Sequence, residues 1–326
     1  MAVVALLEEN CQWSNLKGPR VLFKHELKSY ELEAGSKYIC TVLQSPKQGE
    51  CIPEGGKKAA CFHKGGEQVH KALETLDIKK SPGIDKIDPN FLRLAAELVA
   101  EPIASLFNLS LTSNVIPKMW KSAMVTPLLK GGDPADPNNY RPISRLSVLA
   151  KVFESLINDQ LKQYLSINNI LQDHQSGFRT GHSTVTAATL ILNDITRSLD
   201  SKQSCAALFI DLSKAFDSVD HKLMLQRLRL LGFTQSALNW FENYFSERTQ
   251  CVTVGNYNSP FLNVNTGVPQ GSVLAPLLFS IYINDLGHGI ESAKIHLYAD
   301  DTIIYTAAHS LNQAVQHLQI AFQILQ

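Results

Sequence analysis

Near the C-terminal end two aspartates stand side by side between two apolar runs, in His296-Leu297-Tyr298-Ala299-Asp300-Asp301-Thr302-Ile303-Ile304-Tyr305. Residues 293–297 and 302–305 are short, apolar and free of Gly and Pro. They read as strand, turn, strand, with Asp300 and Asp301 at the tip of a hairpin. Adjacent carboxylates repel and raise each other's pKa unless a cation neutralises them. A solvated turn is the plainer reading of any isolated Asp-Asp pair. Here two strands would hold the pair rigidly, which suits a divalent metal. A chain built around such a tip needs a third carboxylate and a place for a substrate.

The chain has 326 residues, 44% of them hydrophobic and 18% charged, which is enough to bury a sizeable core. Thirty basic and thirty acidic residues cancel, which argues against a plain nucleic-acid coat. Their distribution is uneven. Residues 118–151 hold six basic side chains (Lys118, Lys121, Lys130, Arg141, Arg145, Lys151) against Asp133 and Asp136, whereas residues 205–326 hold six basic and nine acidic. A basic middle beside an acidic last third is the pattern of a polyanion channel next to a metal site, or of chance clustering. Six scattered cysteines form no CxxC, and reduced thiols in an intracellular, non-secreted protein are expected. The apolar residues 2–7 are too few for a signal peptide. Cys51, Cys61, His63 and His70 fit no standard zinc spacing. No run approaches the ~20 apolar residues of a membrane span.

Residues 1–70 show no sustained period and read as a poorly defined N-terminal extension. Beyond them the periodicities predict a short helix over 67–76 and a helix from Phe91 interrupted or restarted at Pro102. A strand follows over 124–129, then helices over 147–165 and 184–199. The last third alternates: a buried strand over 206–212, helices over 221–231 and 235–245, and strands over 250–254 and 261–264. A helix over 273–286, the Asp-Asp hairpin and a helix from Leu311 complete it. Sheets covered by helices, with acids at strand ends, imply an α/β or α+β core.

Asp211 lies near the end of the apolar run 206–212, where a lone acid is costly unless paired or metal-bound. As a single feature it reads as a helix cap. With the hairpin it makes three carboxylates that can converge on two Mg²⁺ ions, whose hard oxygen preference leaves positions for phosphates. Phe216, five residues on, reads either as a core ring or as a ring packed under a sugar that excludes a 2′-hydroxyl. Asp217 and Asp220 are not counted as ligands. Gly267-Val268-Pro269-Gln270-Gly271-Ser272 is a rigid turn in which glycine permits close approach and the Gln270 amide offers a donor and an acceptor. Lys130 and Arg141 bracket a Gly-containing turn and could clamp a triphosphate, or could be solvated surface charges. Gln175-Ser176-Gly177-Phe178-Arg179 adds a basic, aromatic turn.

Five motifs in order, Asn-Tyr-Arg-Pro-Ile-Ser (139–144), Gln-Ser-Gly-Phe-Arg (175–179), Phe-Ile-Asp-Leu-Ser-Lys-Ala-Phe-Asp (209–217), Gly-Val-Pro-Gln-Gly-Ser (267–272) and Tyr-Ala-Asp-Asp (298–301), closely resemble the reverse transcriptase of non-long-terminal-repeat (LINE-type) retrotransposons. The resemblance runs from about residue 72 to about residue 308. It implies an α+β right-hand polymerase with a mixed or antiparallel palm sheet packed by helices. Fingers would span about 71–204 and palm about 205–326, the chain stopping before a thumb. It implies RNA-directed DNA synthesis, with Asp211, Asp300 and Asp301 as catalytic metal ligands for two Mg²⁺ (Mn²⁺ as the alternative ion). Phe216 would be the steric gate, Gln270 and Gly271 would line the nucleotide pocket, and Lys130 and Arg141 would hold the triphosphate. The implied partners are an RNA template, a DNA primer or target and dNTP, with no membrane and no protein partner assigned, in cytoplasm or nucleus. The alternative is a truncated remnant that at most binds RNA.

Overall fold

The fold was taken from a computed structural model, which describes residues 65–325 and, before them, only the backbone of strands β1 (Ala2–Leu7) and β2 (Leu16–Lys17). Of the unconventional zinc grouping, Cys51, Cys61 and His63 lie outside the described residues. His70 pairs with Glu74 one helical turn away, at 3.6 Å.

In chain order there follow α1 (Gly65–Glu74), α2 (Pro89–Leu94), α3 (Ala96–Ser113), β3 (Ser122–Leu129), β4 (Tyr140–Arg145), α4 (Val148–Ile167) and α5 (Thr184–Asp200). Then come β5 (Ser204–Asp211), α6 (His221–Leu230), α7 (Gln235–Phe245), β6 (Arg248–Val254), β7 (Tyr257–Asn258) and β8 (Leu262–Val264). The series closes with α8 (Ala275–Tyr282), β9 (Lys294–Tyr298), β10 (Asp301–Ala308) and α9 (Leu311–Leu325). The architecture is mixed α+β. No helix among the described residues is long and apolar enough to cross a membrane.

Most helices begin where the sequence supplies a cap. Ser147, Thr234 and Asp220 accept from the first-turn amides of α4, α7 and α6, and Ser183 with Thr186 forms a capping box on α5. Two expectations are corrected. The helix from Phe91 breaks at Ala95, and Pro102 lies inside α3 without interrupting it. Pro102 and Leu98, whose carbonyl the missing N–H would have met, are both on the exposed side of the helix. The helix expected over 273–286 is shorter. Ser272 Oγ accepts from the amides of Leu274 and Ala275. At the other end Asn284 turns aside to bond the Gln172 amide and the Ile170 carbonyl.

The chain forms two compact units that interleave in sequence. Of the described residues, the first comprises strands β1 and β2 and residues 169–215 and 279–325. Its sheet has the order β2-β1-β5-β10-β9, every pair antiparallel. One face of β5 and β10 (Ala206, Leu208, Ile210, Ile304, Ala308) packs on Ala314, Leu318, Ala321 and Leu325 of α9. The other face (Ala207, Ile303, Tyr305) meets Ile191 and Ile195 of α5. Burial on both faces explains why residues 206–208 are continuously apolar rather than alternating, whereas Phe209 further along the strand is 40% exposed.

Of the described residues, the second unit comprises 65–168 and 216–278. Its sheet runs β4-β3-β6-β7 with β8 also on β6, and the β3–β6 pair is parallel. Its helical core is aromatic: Phe107 stacks on Phe153 at 4.6 Å, and Trp240 meets the same ring edge-on at 5.7 Å.

Candidate active site

In the first unit the expected hairpin is present. Tyr298 pairs with Asp301, leaving Ala299 and Asp300 as a two-residue turn, so Asp301 opens the returning strand. Ala299 has φ 57°, a left-handed conformation that a non-glycine residue seldom adopts. Asp211, the last residue of β5, is the direct cross-strand partner of Asp301, so their Cβ atoms are on the order of 5 Å apart. The Asp301 carboxyl is held above its ordinary value by partial burial, and further by the charges of Asp300 and Asp211. Three sequence-selected acids thus lie together at one end of the β5–β10 ladder. Oxygen-only donors and mutual repulsion fit a hard divalent cation. Among the described residues no group of three or more His, Cys, Asp or Glu side chains is placed closely enough to hold a metal ion as it stands.

The second unit gathers the other candidates around β4. Arg141 is the cross-strand partner of Leu128, and the Lys130 amide donates to the Asn139 carbonyl, continuing that ladder one step. Lys130 and Arg141 therefore belong to the same face of the β3–β4 hairpin, and both are exposed. Three residues beyond Arg141, the Ser144 amide donates to the Gln270 carbonyl. Gly271, with φ 125°, lies so close that an added Cβ would stand 2.4 Å from the Ser144 carbonyl oxygen, so only glycine fits. The Val268 amide donates to the Phe216 carbonyl and the Gly267 amide to that of Val219. The half-buried Phe216 and the Pro-Gln-Gly turn are thereby held back to back. The Gln270 amide nitrogen donates to both oxygens of Asp217, at 3.3 and 3.2 Å. Asp220 caps α6, accepting from the Lys222 and Leu223 amides.

Sequence does not single out Glu154, and it shows the 175–179 motif without the burial of its first residues. Glu154, buried on α4, accepts from Tyr244 Oη, Ser272 Oγ and the Val273 amide at 3.1, 2.8 and 2.7 Å. It ties the Pro-Gln-Gly-Ser turn to the aromatic core. A charge between Phe153 and Ser155 in an otherwise apolar helical stripe was the available signal. Gln175, Ser176 and Gly177 were read as part of a basic turn, but Gln175 and Ser176 are fully buried beside the hairpin. Arg179 donates to the Gln172 and Gln175 carbonyls of its own loop.

A family model described as reverse transcriptase (RNA-dependent DNA polymerase) matches residues 128–326, well over half of the chain. The chain belongs to the reverse transcriptase family. Among its relatives, a probable RNA-directed DNA polymerase from transposon BS of Drosophila melanogaster is 37% identical over 267 residues, covering 78% of this chain and 29% of that protein. The RNA-directed DNA polymerase from mobile element jockey of the same organism is 33% identical, covering 78% and 28%. A putative 115 kDa protein of type-1 retrotransposable element R1DM is 28% identical, covering 75% and 24%. This reverse transcriptase domain is thus of the non-long-terminal-repeat retrotransposon kind, and it spans less than a third of the length of these relatives.

Proposed function

We propose that the domain is an RNA-directed DNA polymerase, joining a dNTP to a primer 3′-hydroxyl on an RNA template. The observation that carries the reading is the register that sets Asp211 opposite Asp301 with Asp300 in the adjoining turn. Asp211, Asp300 and Asp301 would hold two Mg²⁺ ions (or Mn²⁺). Such ions, when bound, stabilise the charge that builds on the attacking and leaving oxygens of an in-line phosphoryl transfer. In that transfer the 3′-oxygen bonds to the α-phosphorus as pyrophosphate leaves.

The remaining roles fall to side chains of the second unit. Lys130 and Arg141, on one hairpin face, bind the triphosphate, Arg141 through paired N–H donors. Phe216, its backbone pinned by Val268, excludes a ribose 2′-hydroxyl. Gln270 and Gly271 line the nucleotide site, where the missing Cβ lets backbone and base approach. In right-hand terms, residues 71–204 supply fingers and residues 205–326 palm. The partners are an RNA template and a DNA primer or target, in an intracellular setting.

The test is extension of a DNA primer on an RNA template by the purified chain with dNTPs and Mg²⁺. Extension that Asp300→Ala abolishes supports the reading. Synthesis no greater than that of the variant contradicts it, and leaves RNA binding as the domain's activity. Phe216→Ala is expected to raise ribonucleotide use relative to dNTP.

A further inference from the structure

The Gln-Ser-Gly-Phe-Arg motif has no part in the function proposed above, yet its first two residues are joined to the sheet that carries the aspartates. β9 is the last strand of that sheet. Residues 174–176 cover its edge: the Leu297 amide donates to the His174 carbonyl at 2.7 Å and the Ser176 amide to the Leu297 carbonyl at 2.8 Å. These bonds form a parallel bridge between Gln175 and Leu297, which sets the motif in register with the strand entering the turn.

A side-chain link reinforces that register. Ser176 Oγ lies 2.9 Å from His296 Nε2 and 3.1 Å from His182 Nδ1. Ser176 is 1% and His296 7% exposed. With one hydroxyl hydrogen, Ser176 donates to one neutral imidazole and accepts from the N–H of the other, so the chain His182–Ser176–His296 is satisfied in one direction at a time. Gln175 Oε1 accepts from the Gly177 amide at 2.7 Å, fixing the next peptide. That peptide lies directly behind the turn. A Cβ on Gly177 would stand 2.1 Å from the Ala299 nitrogen and 2.8 Å from its Cα. Ala299 is the residue in the left-handed conformation, which costs about 1–2 kcal/mol and persists only where its surroundings enforce it.

We infer that Ser176, Gly177 and His296 are positioning residues for the Asp300–Asp301 turn: the Ser176–His296 bond fixes the motif on β9, and the Gly177 backbone holds Ala299 in its left-handed conformation. The consequence for catalysis rests on the proposed role of the aspartates. The positioning itself does not.

The test uses hydrogen–deuterium exchange of the full chain, read at the amides of residues 298–302, together with steady-state primer extension. A buried hydrogen bond of this kind contributes about 1 kcal/mol. Ser176→Ala and His296→Leu are expected to speed exchange at the turn about five- to tenfold, with exchange in α4 and α7 unchanged. Extension should lose a similar factor in kcat while the KM for dNTP stays within about twofold. His296→Gln, whose amide reaches the position of Nε2, should restore both readouts. His182→Ala removes an exposed arm of the chain without opening the core, and gives a smaller rise should the buried variants fail to fold. Unchanged exchange at the turn, uniform acceleration over the whole molecule, or no rescue by His296→Gln would overturn the inference. Exchange is read without catalysis, so a wild-type chain that makes no DNA counts against the proposed function alone.

Discussion

Asp301 faces Asp211 across the ladder and follows Asp300 in the chain, and its carboxyl sits above its ordinary value through partial burial and those two charges. In the absence of divalent ions this is a repulsive arrangement. Asp301→Asn is therefore expected to raise the metal-free melting temperature by about a degree or two. The same variant should lose any stabilisation that Mg²⁺ gives the wild type. Thermal unfolding with and without Mg²⁺ checks both, and a variant less stable than wild type without metal contradicts the electrostatic account. His296 makes a second prediction. Burial, and then His182, hold its imidazole below the ordinary value of 6.5. The unfolded chain takes up the proton first as pH falls, so the full stability exists above 6.5 and is lost progressively below it. His174 is shifted the same way by burial and by His296, against the nearby Asp173. The urea midpoint should fall between about pH 7 and pH 5, and fall less in His296→Gln. Asp211 was legible in sequence because a lone acid in an apolar strand stands out. Glu154 was not, because the donors that justify its burial, Tyr244 and Ser272, lie 90 and 118 residues away.

The elements were legible where periodicity and caps agree and illegible where distant contacts decide. Helix α7 has the predicted bounds because Thr234 caps it and its apolar stripe faces the aromatic core. Helix α8 ends early because Asn284 is recruited by the 170–172 loop, which no local pattern reveals. Pro102 was read as an interruption because a proline inside a helix removes a hydrogen bond. In α3 it is tolerated on an exposed face. Pro102→Ala is accordingly expected to stabilise the chain by about 1–2 kcal/mol, the helical gain being partly offset by a more flexible unfolded state. Urea denaturation measures this, and a loss of stability would mean that Pro102 itself makes a needed contact. Glu154→Ala should cost about 3 kcal/mol by stranding the Val273 amide and one of the Tyr244 and Ser272 hydroxyl hydrogens, these two hydroxyls lying 3.0 Å apart, with Glu154→Gln recovering part of it. A cost below about 1 kcal/mol in the same assay would contradict the staple assigned to Glu154.

Across the whole molecule, what sequence reveals least is which strands meet. The β9–β10 hairpin is local and was expected. The β5–β10 pairing, which makes the aspartates neighbours, was inferred only through the chemistry of its end residues. Residues 2–7 were read merely as a short apolar stretch, yet they pair along the other edge of β5. The interleaving of the two units follows from such pairings, since β5 joins both β1 and β10 across long separations. The central claim is that Asp211, Asp300 and Asp301 form one divalent-ion site across those strands. Titration of Mn²⁺ into the chain, with free ion followed by electron paramagnetic resonance, tests it without requiring catalysis. The account predicts that wild type takes up Mn²⁺ that Mg²⁺ displaces. Asp211→Asn, Asp300→Asn and Asp301→Asn should each weaken uptake by at least about tenfold, since even outer partners of a metal site cost that much. Equal uptake by wild type and by the triple Asp-to-Asn variant would contradict it.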